Sequence, residues 1–150
     1  MFTATKAEQI DDPAPRLRQI SDFTTSGWLA RSNDKRTDYR YNRAIPALLV
    51  RWDDGRPVED EWAIVLTRDI SDNGVGLLLG MPIDVDEVVI GFWLPDENMH
   101  APWFFVGQPH YCAPIGGGYW TLGVQLVEFA NDKYREELQC LLPLAEKLLP

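Results

Sequence analysis

Two short constellations in this sequence hold side chains whose types and spacing suit molecular recognition. The first is Arg36-x-x-x-Arg40. Residues four apart share a face on a helix and also on a strand. Their bases lie about 6 Å apart in a helical turn, or about 13 Å apart along a strand. In either geometry two planar guanidinium forks can grip different parts of a ligand with two phosphates, or match the acceptor edge of guanine. Such an arginine pair is common on solvated surfaces and by itself assigns nothing. The second constellation is Asp69-Ile70-Ser71-Asp72-Asn73-Gly74. The carboxylate of Asp69 can accept together from the N1–H and N2–H2 donors of a guanine. Ser71 can satisfy a phosphate or a guanine edge, and Gly74 permits a backbone turn that other residues resist. The plainer alternative is a hairpin turn, because Asn-Gly is a strong turn signal and Asp69 and Ser71 can bond nearby backbone N–H groups.

Other chemical signals are thinner. His110 and Cys112 share a strand face, but a metal needs further ligands and His100 is the one other histidine. No base and orienting group can be named for a Cys-His nucleophile. Gly116-Gly117-Gly118 lacks the Lys-Ser/Thr of a phosphate loop and reads as a hairpin connection. Asp53, Asp54, Glu59, Asp60 and Glu61 read as a solvated acidic hairpin. No catalytic group, metal or cofactor is therefore expected.

Charge narrows the class. The chain of 150 residues has a formal charge of -9 and a pI near 4.6, which opposes a polymer-coating nucleic-acid protein. Residues 31–43 reverse the sign locally, with five bases (Arg31, Lys35, Arg36, Arg40, Arg43) against two acids (Asp34, Asp38). That compact patch suits one small anion better than an extended polyanion. Two cysteines cannot staple a secreted scaffold. The N-terminus lacks the apolar stretch of a signal peptide, and no run approaches the roughly 20 apolar residues that span a bilayer. A cytoplasmic, single-domain protein is the expectation.

The elements that must position these residues are mostly strands. Segments 44–52, 61–68, 75–79, 87–94, 101–108 and 119–129 are rich in Val, Ile, Leu and Trp and are separated by turn signals. Six such strands without a βαβ rhythm predict an all-β fold, a six-stranded antiparallel β-barrel. Residues 1–34 read as an N-terminal leader, partly flexible, with a short helical piece around 16–23 and Trp28 as an anchor or ligand cover. Beyond residue 130, Asn131 can serve as an N-cap, and Tyr134, Leu138, Leu141, Leu142 and Ala145 recur at spacings of three and four. That pattern predicts a C-terminal α-helix over 131–150, packed on the barrel or at a dimer interface, with Pro143 kinking or ending it.

Taken in order, Arg36-x-x-x-Arg40 before the first strand and Asp69-x-Ser71-x-x-Gly74 between later strands resemble the PilZ domain family. The resemblance covers residues 35–129, and 119–126 (YWTLGVQL) is similar to the family's closing strand. It implies a barrel domain over 35–130 that binds cyclic di-GMP, a bacterial second messenger with two guanines and two phosphates. It further implies that Arg36 and Arg40 contact guanines and phosphates, that Asp69 accepts from a guanine, and that Ser71 and Gly74 complete and shape the loop. Lys35 and Arg43 flank this set as further candidates. Asp38, between the arginines, can pair with one of them in the empty state. The implied function is a non-catalytic receptor whose arginine-rich loop orders on ligand binding and signals to a downstream protein. The alternative is a ligand-independent interaction or scaffold domain on the same barrel. Monomer and homodimer both stay open.

Overall fold

The computed structural model describes residues 10–22, 44–95 and 99–150. A helix, α1, spans residues 14–22. Six strands follow: β1 Pro46–Asp53, β2 Arg56–Ile70, β3 Gly74–Leu79, β4 Val88–Phe92, β5 Trp103–Gly116 and β6 Tyr119–Phe129. All pairings are antiparallel. Their order is β1-β2-β3-β6-β5-β4, and β4 returns to β1.

The expected barrel of six strands is corrected in extent: the strands pair in a closed ring, but little of each strand takes part in it. β1 meets β4 only over Leu48–Arg51, and β4 begins at Val88, opposite Gly107 of β5. Residues 108–116 of β5 therefore have β6 on one side and no described strand on the other. β2 pairs β3 only from Leu66 onward, which leaves 56–65 paired to β1 alone. The described residues form a six-stranded antiparallel sheet that curls into contact over a short band and splays open beyond it. The physical reason is unequal length: strands of 15 and 14 residues run beside strands of 5 and 6. Their excess carries Glu59, Asp60, Glu61 and His110, which stay exposed.

The two faces of the sheet bury separate cores, which explains the unbroken apolar run in β1. Ala47 and Leu49 face inward with Ile90, Phe92, Phe105 and Leu122. Leu48, Val50 and Trp52 face outward into a second cluster with Val89, Phe104 and Val106. The outer cluster is closed by Leu138, Leu141, Ala145 and Leu148 from the C-terminal segment. Gly91 leaves room there, since a Cβ on it would come within 2.8 Å of the Phe104 ring on the neighbouring strand.

The C-terminal α-helix is also corrected. Residues 131–138 form successive turns, followed by a 3-10 turn at Gln139–Leu141, one α turn (α2, Leu142–Ala145) and a second 3-10 turn at Glu146–Leu148. Asn131 does not cap a helix. Its side chain accepts from the Phe104 N–H at 2.7 Å and donates to the Pro102 carbonyl at 2.8 Å, which ties the segment to the start of β5. Pro143 lacks the N–H that a continuous helix would direct at Gln139, so it begins the short α turn. The spacing of three and four still places Leu138, Leu141, Ala145 and Leu148 on one buried side.

At the other end of the chain, α1 packs inward. Leu17 and Ile20 are fully buried in the inner core. The Arg16 guanidinium lies 3.8 Å above the Phe129 ring, and the Phe129 N–H donates to the Asp11 carbonyl at 2.8 Å.

Candidate functional site

The Asp69–Gly74 segment joins β2 to β3, and a register shift between Thr67 and Asp69 marks its approach. Ser71 closes the turn: its N–H donates to the Gly74 carbonyl at 2.9 Å and its hydroxyl to the same oxygen at 3.3 Å. The Asn73 carbonyl accepts from the Leu126 N–H at 2.9 Å, which fastens the turn to β6. Gly74 has no positive φ, so the expected backbone freedom is not what it supplies. A Cβ on Gly74 would sit 3.0 Å from the Val124 carbonyl oxygen, and the residue serves close approach of two strands.

Pairing register then builds a row across four strands. Asp69 of β2 lies opposite Gly76 of β3, Gly76 opposite Gly123 of β6, and Gly123 opposite Tyr111 of β5. The two glycines make room for side chains from the strands on either side. A Cβ on Gly76 would lie 2.7 Å from the Asp69 Oδ1, so the carboxylate leans over it. A Cβ on Gly123 would collide with the Tyr111 ring, which leans in from the opposite side. Tyr111 is 57% exposed. The resulting open cavity has a volume of about 420 Å³ and includes Ser71, Gly74 and Gln125 in its lining. At one end His110 Nε2 and Gln125 Oε1 lie 2.7 Å apart. At the rim Asp72 meets Arg18 of α1 at 3.6 Å in an exposed ion pair.

The structure thus brings together Asp69, Ser71 and Gly74. Lys35, Arg36, Arg40 and Arg43 lie outside the described residues, as do Trp28 and Asp38. The chain just ahead of β1 is tied to the approach of this turn. The Ile45 N–H donates to Thr67 Oγ1 at 3.0 Å, and the Thr67 N–H donates to the Ile45 carbonyl at 3.0 Å. Thr67 is two residues from Asp69. Sequence reasoning missed Gly76, Tyr111 and Gln125 because cross-strand register, which gathers them, leaves no local pattern. The sequence presents His110 as a metal ligand or as the base of a Cys-His pair, not as a neighbour of Gln125, and no group of three or more His, Cys, Asp or Glu side chains able to hold a metal occurs among the described residues. No described helix is long and apolar enough to cross a membrane.

No family model matches this chain, and no curated protein matches it. Among solved structures, that of the Bacillus subtilis inhibitor of motility (MotI/DgrA) is similar at 14% identity and a TM-score of 0.48. The match covers 76% of this chain and 53% of that one, so the chain spans about half the length of the structure it resembles. At that identity and score the likeness assigns neither a family nor a function.

Proposed function

We propose that this chain is a PilZ-like receptor domain that binds cyclic di-GMP without chemical turnover. The observation that carries the reading is the convergence of the Asp69 carboxylate and the Tyr111 ring, seated over Gly76 and Gly123, on one open cavity. A flat base can enter the open cavity against the exposed Tyr111 ring. In that pose the Asp69 carboxylate accepts from the guanine N1–H and N2–H2. The Tyr111 ring covers the purine face, a contact worth about 1–3 kcal/mol. Gln125 and His110 supply polar groups at the end of the base, and the Ser71 hydroxyl retains acceptor capacity beyond its bond to Gly74. Arg36 and Arg40 neutralise the two phosphates or take the guanine acceptor edge, with Lys35 and Arg43 as flanking cations. Arg40 stands five residues before Ile45, a reach of at most about 18 Å along the chain, and Ile45 is held beside the site. Ligand stabilises the ordered arginine segment only through its higher affinity for that state, which is how occupancy can be read by a downstream protein.

Titration calorimetry with cyclic di-GMP tests the reading, with GMP and cyclic di-AMP as controls. Wild type is expected to bind the guanine dinucleotide selectively, while Arg40→Ala and Asp69→Ala each lose about 2–5 kcal/mol. An intact ligand pool after hours with the protein is expected of a receptor. Absence of binding heat in the wild type, with an unchanged melting temperature, would overturn the proposal.

A further inference from the structure

The long strand β2 has a second feature that the nucleotide site does not use. Between residues 56 and 65 its edge away from β1 has no strand partner among the described residues. Beside that edge lies a cleft of about 430 Å³ that shares no lining residue with the candidate nucleotide site. Its base is apolar, with Leu49, Val65, Leu79, Ile83 and Val85, and its rim carries Asp60, Glu61 and Asp84. The cation there, Arg51, is engaged by Glu61 at 3.2 Å, so the rim presents net negative charge. On the outer side of the same strand Trp62, Ile64 and Leu66 alternate and stay 39%, 40% and 42% exposed. They continue the apolar surface of Leu48 and Val50, which pair with Ile64 and Trp62 but are covered by the C-terminal segment.

We propose that this edge is a docking site for an extended basic segment of a partner protein, which adds to β2 as a strand. Unpaired backbone groups supply affinity in such augmentation, and alternate side chains read the pocket and the face. Apolar side chains of the incoming segment enter the cleft, and its lysines or arginines meet Asp60, Glu61 and Asp84. Charge selects this occupant over a second copy of the chain. Antiparallel self-pairing centred on this edge would bring Glu59, Asp60 and Glu61 against the same three residues, and like charges facing across strands repel. The proposal does not depend on the nucleotide reading.

The test uses the full chain and a short capped peptide alternating lysine with valine, with glutamate replacing lysine in the control. Hydrogen exchange of the 56–65 amides and fluorescence of Trp62 report occupancy. The lysine peptide is expected to slow exchange there and shift the fluorescence, and the glutamate peptide to do neither. A double variant, Asp60→Lys with Asp84→Lys, is expected to bind the lysine peptide about tenfold more weakly. Both positions are exposed, so its melting temperature should match wild type. Three results overturn the proposal: no protection by the lysine peptide, equal protection by both peptides, or concentration-dependent dimers that protect the edge without peptide.

Discussion

Asp69 and Tyr111 come from strands at opposite ends of a four-strand row, and two hydrogen-only side chains let them lean together. That arrangement makes Gly123→Ala an informative substitution. The new methyl must displace the Tyr111 ring, an exposed group free to swing outward, so the fold should persist. Affinity for cyclic di-GMP should fall about tenfold, close to the loss in Tyr111→Ala, given the usual worth of base–aromatic stacking. Calorimetry on both variants checks this, and a normal affinity in Gly123→Ala would remove the ring from the site. Cys140 offers a second prediction at this scale. Burial, then the hydrogen bond and charge of Glu59, push its thiol up to about 11 from 9.0. The thiol also donates to the Glu137 carbonyl at 3.5 Å. Alkylation of Cys140 by iodoacetamide at pH 8 should run about a hundredfold slower than for an unperturbed cysteine, because only the thiolate reacts. Peptide mapping of the alkylated protein measures it.

At the scale of elements, the C-terminal segment does the work of a helix without being one. Its turns place Leu138, Leu141, Ala145 and Leu148 against the outer face of β1, β4 and β5. Leu141 is fully buried, and Leu141→Ala should cost about 2–5 kcal/mol in a denaturant titration. The periodicity of this segment was legible in sequence; its failure to stay α-helical was not, because Asn131 is drawn to Phe104 and Pro102 rather than to the cap. Within its first turns, Lys133 donates to Glu128 of β6 at 3.0 Å with both side chains nearly buried. Burial pulls the lysine pKa down, but the hydrogen bond and charge of Glu128 outweigh it, and the net shift is upward from 10.5. A raised folded pKa contributes stability that is fully present below the unfolded value and is lost as pH rises through the folded one. Glu128→Gln should therefore destabilise by about 2 kcal/mol at neutral pH. The gap from wild type should narrow above about pH 10.5, and melts across that range test it.

For the whole molecule, the sheet seats Asp69 and Tyr111 over two glycines at one place and, among the described residues, leaves the edge of β2 without a strand partner at another. Cyclic di-GMP at a hundred times its Kd should raise stability by about 2.7 kcal/mol, or about 5–10 °C in Tm for a chain of this size. Thermal melts with and without ligand give the answer, and Asp69→Ala should abolish most of the shift. Composition, charge and the spacing of turn signals by themselves determined the six strands, the Asp53–Gly55 and Gly116–Gly118 turns, and the Asp69–Gly74 loop. These are local properties: Asp54 and Gly55 adopt positive φ of 52° and 74°, and the three glycines 94°, 65° and 83°, as their types allow. Strand length and closure were decided elsewhere, since β2 and β5 extend well past their apolar cores by pairing with β1 and β6. The site was half legible for the same reason. Asp69, Ser71 and Gly74 are neighbours in sequence, whereas Gly76, Gly123 and Tyr111 meet only through register, and register is set by which faces the whole sheet can bury.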